Sequence, residues 1–404
     1  MNNQQILSLF DELSKTLWEN KNFNDAADIL LIASKYCEDK NLEYMILSNA
    51  RMCYFQGNDV PKAFFCLEKQ ERLNLGYDWE LQRDKANYLR YLDRYDEANR
   101  IVDGLPDKKV KLLAKSWFLH REGKFKEAFA LVEEGRNGDF WWGPRAPLPL
   151  PVWSKKFVEN LIVCGESGHG DEIIFSRWIP ELKNHCKNLW YYTDNSLLEV
   201  FCRNFNIKPF KRMDIGDYQI IPCMSIPAYL GVDNPEPSQY ITSNFEIKQQ
   251  YNEWYPKSGK RIGLCFHGEP THFETNLRTI PERVLINVFK DLGQLVNLQK
   301  DYEYEHIEMS YYPFKRWEDT FALIDTCDLV VTCDTSIAHC AGSMGKPLIL
   351  LMHAAAYFTW NHNEPIGKTA WYDNAWSVKQ TKPCEWEGCI LEARKLAEKL
   401  LIDK

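Results

Sequence analysis

The chain has no long hydrophobic run, no paired-cysteine motif, no extended block of one charge and no complete dinucleotide fingerprint. Each absence removes a class of protein. Without a stretch of about 18 apolar residues, no membrane-spanning helix is expected. The opening MNNQQILSLFDELSK has neither a basic start nor a long apolar core, so it does not read as a signal peptide. The thirteen cysteines are scattered singly. An odd set without a CxxC pair fits reduced thiols, and the expected location is cytoplasmic. Cys384 and Cys389 stand closest, but that spacing is poor for zinc and lacks a second pair, so no metal is expected. A net charge of −8 gives no overall basic field for nucleic acid.

What is present suits a protein of two or three domains: 404 residues, an ordinary 45% of apolar side chains, and 14 tryptophans. Residues 1–136 carry helical periodicity with a repeated signature. Asn22–Ala26, Asp59–Ala63, Arg94–Ala98 and Lys124–Ala128 align, each with a polar lead-in, an aromatic or β-branched anchor and a small alanine opening an apolar helix. The alanine lets paired helices approach and the anchor fills the gap between units. The pattern resembles degenerate tetratricopeptide repeats, whose period is about 34 residues. It serves either as a stacking scaffold or as a surface for a protein partner or acceptor. Residues 137–158 follow, rich in proline and tryptophan, and read as a junction that cannot stay helical.

From Asn160 onward short β-branched runs alternate with helical patterns, the signature of parallel α/β layers. One series runs from Leu161–Cys164 through Tyr218–Ile221, with a connection at Gly231–Ser258. A second begins at Arg261–Phe266 and ends in a closing helix at Ile390–Ile402. The expected architecture is therefore a helical-repeat array followed by two Rossmann-like halves, residues 159–258 and 259–404.

Candidate site residues gather at predicted strand ends. In DLVVTCDTSIAHCAGSMGKPLILLM, Leu329–Cys333 reads as a buried strand, Asp334 as a helix cap, Gly345 as the helix stop and Leu348–Met352 as the next strand. Thr335 and Ser336 then sit at a helix N-terminus, which favours an anion, and His339 lies on the same face. The plainer alternative is an ordinary cap and a core histidine. Gly165–Asp171 forms a glycine-rich turn, but G-x-G-x-x-G fails because Ile173 occupies the third glycine position. Asp171 is either a general base or a cap. Asp194, near the end of the second strand, suits a turn or cap better than a ribose contact. His267 ends a strand at the same sheet edge, and Arg278 stands just before a helix start, either on a pyrophosphate or in a structural salt bridge. Lys300 either reaches a phosphate or stays an exposed loop lysine. Trp360 either stacks on a base or sugar or packs the interdomain cleft.

Taken together, Asp328–Cys333, Asp334-Thr335-Ser336, His339, Gly342 and Gly345-Lys346-Pro347 resemble the heptosyltransferase-like glycosyltransferases of the GT-B fold. Gly168–Asp171, Met224–Pro227, Arg278–Pro281 and Leu298–Lys300 support the likeness in the same order. Proteins joining such a domain to tetratricopeptide repeats are the most similar. The resemblance implies a nucleotide-sugar donor held mainly by the C-terminal half, with Asp334, Thr335, Ser336 and His339 around diphosphate and sugar. It implies Asp171 as base of an inverting, metal-independent transfer with no further cofactor. The sequence departs from the family at His169, beside Asp171, and at Cys340, both positions where leucine is common. The acceptor stays open among saccharide, protein and modified nucleic acid. Other readings are a repeat scaffold with a degenerate, non-catalytic domain, and a transferase acting on hydroxylated bases.

Overall fold

A computed structural model describes residues 3–136, 148–193, 195–211, 216–269, 274–300, 308–353, 357–360, 364–382 and 385–402. Its N-terminal part is eight α-helices: α1 (Asn3–Glu19), α2 (Phe23–Ala33), α3 (Lys40–Gln56), α4 (Val60–Arg72), α5 (Trp79–Tyr91), α6 (Tyr95–Asp103), α7 (Lys108–Arg121) and α8 (Phe125–Arg136). Each packs on the next. Aspartates start several of them: Asp39, Asp59, Asp78 and Asp107 accept first-turn N–H groups of α3, α4, α5 and α7. Ala26, Ala63, Ala98 and Ala128 are all fully buried, as close helix approach requires.

Two parallel sheets follow. The first has the order β3-β2-β1-β4, from β1 (Val158–Cys164), β2 (Cys186–Tyr192), β3 (Lys208–Pro209) and β4 (Tyr218–Pro222). Between β1 and β2 lies α9 (His169–Phe175). The second sheet is built from β5 (Arg261–Cys265), β6 (Gln294–Asn297), β7 (Met309–Ser310), β8 (Leu329–Thr332), β9 (Leu348–Met352), β10 (Ile366–Lys368) and β11 (Ala375–Lys379). Its order is β10-β11-β9-β8-β5-β6-β7, with only the β10 pairing antiparallel. In each sheet the first strand lies inside, so the order reverses between β1 and β4 and between β5 and β8. Crevices at such switch points, outside the carboxyl ends of the strands, are where ligands bind in open α/β sheets.

Several expected elements shift. The Gly165–Asp171 turn is shorter than its glycines suggest: a helix already starts at His169, because Gly168 takes the cap position. It then tightens into a 3₁₀ turn at Ser176–Trp178 and resumes at Ile179–Leu182, where Pro180 is tolerated in the first turn. Pro151 and Trp153, expected in the junction, hydrogen-bond to Ile220 of β4, so the first sheet extends into that segment. Trp141, Trp142 and Asp194 lie outside the described residues. β11 was not expected, since Ser377 and Lys379 interrupt its apolar run. Lys379 is buried because it pairs with Asp93 at 2.6 Å, reaching back to the N-terminal helices.

The parts share cores. One hydrophobic cluster runs from Phe125 and Phe129 of α8 through both sheets, with Trp371 against Phe129, Phe175, Trp178 and Phe358. Leu277, just ahead of Arg278, inserts instead into the core of the N-terminal helices. A buried ion pair fixes the end of α8: Arg136 donates to both carboxylate oxygens of Glu166, at 2.9 and 2.6 Å, beyond the end of β1. With both side chains almost wholly removed from water, neither charge can be left alone cheaply. Arg136→Met is expected to destabilise the fold by about 3–5 kcal/mol, read from the shift in denaturant midpoint.

Candidate active site

The site is assembled at the carboxyl edges of both sheets, where their switch points face each other. From the first sheet, β1 ends at Cys164 and the chain turns through Gly165–Ser167 into α9. Asp171 is the third residue of α9, not its cap. Its Oδ2 accepts the Gly168 N–H at 3.0 Å, and its Oδ1 accepts the Tyr357 hydroxyl at 2.9 Å. Burial pushes the Asp171 carboxyl above the usual range, partly offset by these donors. Asp171 is half-buried, and Gly168, one turn before it, is exposed.

From the second sheet, β8 ends at Thr332 beside Cys265 of β5. Asp334 was expected to cap the helix that follows. Thr335 takes that position instead, in extended backbone and without a side-chain cap bond, and the helix runs Ser336–Ser343. The Asp334 side chain turns inward, where its Oδ1 accepts Trp360 Nε1 at 2.9 Å. Arg278 Nη1 donates to the Asp334 backbone oxygen at 3.2 Å. Arg278 Nε is buried without a hydrogen-bond partner among the described residues. Gly268 leaves the space in front of the guanidinium open: a β-carbon there would stand 3.6 Å from Arg278 Cζ and 3.6 Å from Thr335 Cγ2. A cation with an unspent donor, next to the first turn of a helix, is an anion-binding arrangement.

The two halves meet at Gly170. A β-carbon there would lie 2.7 Å from His339 Cδ2 and 3.6 Å from Ser336 Cα, so only glycine lets α9 come this close to the Ser336 helix. His339 is correspondingly enclosed. Its ring stacks on Trp360 at 5.0 Å and its Nδ1 meets the Tyr372 hydroxyl at 3.0 Å. Burial, with Arg177 nearby, holds its pKa down at about 3, so it is neutral and can act only through hydrogen bonding.

The structure thus brings Asp171, Thr335, Ser336, His339, Asp334, Arg278 and Trp360 to one cleft. Trp360 is there as a buried packing and hydrogen-bonding residue. His267 reaches the same edge, its Nδ1 2.8 Å from the Gly268 carbonyl oxygen, and Gln299 accepts the Phe266 and His267 N–H groups at 3.2 and 3.1 Å. Lys300 is exposed beyond β6, one residue past the buried Gln299. His169 is exposed at the start of α9, with its ring 5.1 Å from that of Trp317.

Sequence reasoning missed three contributors. Tyr357 and Tyr372 stand in the sequence only as two of the many aromatics between residues 357 and 376. Arg177 carried no motif, yet it donates across the halves to the Trp371 carbonyl oxygen at 3.0 Å and lies over the Tyr372 ring.

No family model matches the chain, and no curated protein does. Among solved structures, it is similar to a family 9 glycosyl transferase from Veillonella parvula DSM 2008, at 15% identity and TM-score 0.43, over 63% of this chain and 99% of that one. It is also similar to the E. coli ADP-heptose LPS heptosyltransferase II, at 14% identity and TM-score 0.41, over 60% and 99%. An O-GlcNAc transferase mutant from Thermobaculum terrenum aligns over 100% of this chain and 93% of its own, at 10% identity and TM-score 0.33.

Asp334 gives a test of the site's electrostatics. Burial raises its pKa from 3.8 to about 6, so the native state favours the neutral acid. That contribution to stability is complete below about pH 3.8 and is lost as pH rises through about 6. Asp334→Asn, which keeps an acceptor for Trp360, is expected to stabilise the protein by about 2–3 kcal/mol at pH 8 and negligibly at pH 3.5. Denaturant unfolding at the two pH values checks this.

Proposed function

We propose that the chain is a glycosyltransferase of GT-B type, moving a sugar from a nucleotide diphosphate donor to an acceptor hydroxyl, with inversion and without a metal. The observation that carries this is the pairing of Arg278, whose buried Nε has no partner among the described residues, and the first turn of the Ser336 helix on one wall, with Asp171 on the other. The donor diphosphate would occupy the first wall, within reach of Arg278 and the free N–H groups behind Thr335 and Ser336. The acceptor would enter from the Asp171 side.

In the transfer, the acceptor oxygen bonds to the anomeric carbon while the bond from that carbon to the phosphate oxygen breaks. The hydroxyl proton passes to Asp171, whose two carboxylate oxygens keep a lone pair beyond the hydrogen bonds from Gly168, Ser167 and Tyr357. Its raised pKa brings it closer to what a base at neutral pH requires. Negative charge growing on the departing diphosphate meets Arg278 and the helix N-terminus, which can replace a cation there. A base and a leaving-group site on opposite walls favour attack from the face away from the phosphate, hence inversion. We further propose that α1–α8 form a tetratricopeptide-type array, on the strength of their sequential packing and the buried alanine of each second helix.

A thermal-shift panel of nucleoside diphosphates and nucleotide sugars, with donor hydrolysis followed alongside, tests the assignment. At least one nucleotide sugar is expected to stabilise the protein, and the absence of any ligand would favour a non-catalytic scaffold. For that donor, Asp171→Asn is expected to leave affinity unchanged and lower transfer by about 10²–10⁴-fold. Near-normal turnover in this variant would remove Asp171 as base. Arg278→Ala is expected to weaken the donor by about tenfold or more, and unchanged affinity would remove the phosphate site.

A further inference from the structure

We propose that Tyr357 is the positioning residue of the Asp171 carboxylate, and that the N-terminal helices, through Trp117, hold the Tyr357 ring in place. The inference rests on Asp171 acting as the base. Tyr357 touches Asp171 rather than the reacting atoms. Its hydroxyl donates to Oδ1 at 2.9 Å while the Gly168 N–H holds Oδ2 at 3.0 Å, and the Ser167 side chain is a further hydrogen-bond partner of the carboxylate. Tyr357 and Gly168 come from opposite halves of the cleft.

The Tyr357 ring is clamped by aromatic neighbours. Trp117 of α7 meets it edge-on, with ring centroids 5.1 Å apart at 83°, and Phe358 lies 4.4 Å away. Trp117 is in turn covered by the Arg90 guanidinium of α5, 4.2 Å above its ring. Phe358 packs against His120 of α7 at 4.6 Å. Side chains from α5 and α7 therefore determine where a donor to the candidate base can stand. A phenol that merely filled space would not need its hydroxyl on Oδ1, and a carboxylate that merely capped α9 would need only Gly168.

Three carboxylates face this pair. Glu166, beyond β1, is paired with Arg136; Asp334 lies before the Ser336 helix; Glu274 stands at the start of the Arg278 segment and accepts from Tyr91 of α5. Burial, then Asp171 itself, with Asp334 and Glu274 behind it, pushes the Tyr357 phenol up, so it stays protonated and remains a donor wherever Asp171 ionises. A donor to the ionised carboxylate favours ionisation, and its loss therefore moves the Asp171 titration to higher pH.

The test compares wild type, Tyr357→Phe and Trp117→Leu. Titration of the Asp171 carboxyl, assigned against Asp171→Asn by ¹³C-aspartate NMR, needs no turnover. Tyr357→Phe is expected to raise the Asp171 midpoint by roughly one pH unit. Trp117→Leu is expected to move it in the same direction, and the double variant to move it no further than Tyr357→Phe alone. The acid limb of nucleotide-sugar hydrolysis should follow the same shifts, with donor affinity unchanged. Coincident Asp171 titrations in wild type and Tyr357→Phe would overturn the proposal. An unmoved titration in Trp117→Leu would remove the part assigned to the helices. If the titrations shift but wild type turns over no nucleotide sugar, the positioning stands and the transferase assignment falls.

Discussion

The approach of α9 to the Ser336 helix at Gly170 is the constraint on which the site depends. Either sheet alone would offer a switch-point crevice with half the chemistry. The Asp171 carboxylate of α9 and the Arg278 guanidinium come together only because a backbone without a side chain passes within contact of His339 and Ser336. That contact also explains the state of His339. A ring closed in by Gly170, Trp360 and Tyr372 is held neutral, so in the proposed transfer the cationic partner of the diphosphate is Arg278 and not this histidine.

Burial governs the electrostatics around this contact. Asp171 and Asp334 both sit above the usual carboxyl range because enclosure outweighs the donors that reach them. Burial raises Glu166 as well, although a bidentate arginine is offered to it. The same wall of protein thus contains one buried carboxylate hydrogen-bonded by a guanidinium, which fixes α8, and two held by neutral donors: Asp171 on α9 and Asp334, turned inward onto Trp360. Carboxylates raised by burial weaken a fold, and their concentration at one cleft is what a site organised for chemistry leads one to expect.

Local order was legible in the sequence where periodicity and punctuation agree. Leu348–Met352 falls where expected, and Gly345 ends the Ser336 helix with a positive φ of 66°. The buried alanines were visible as a repeated signature. Boundaries failed where two signals competed: Asp334 looked like a cap, but a buried tryptophan N–H claims its carboxylate, and Thr335 takes the position. The cleft's main candidates were legible because strand ends carry them. Tyr357 was not, because its relation to Asp171 spans 186 residues of sequence and depends on two elements meeting in space. Arg177 was hidden for the same reason, and Lys379 by its unlikely place inside a strand.

The grip of the N-terminal helices on the second sheet has a consequence for how the chain can vary. In a quasi-one-dimensional array each unit touches only its neighbours, so units can be gained or lost with little effect elsewhere. Here Asn58, after α3, donates to the Asn276 carbonyl oxygen at 2.6 Å, and Tyr91, at the end of α5, bonds Glu274. Leu277 beside them is part of the helical core. Successive helix pairs thus hold successive points of one short segment, the segment that ends in Arg278. Inserting or deleting a pair between them would put the two grips out of step with it. The number of helices is tied to the cleft, and this array has lost the freedom of length that repetition ordinarily confers.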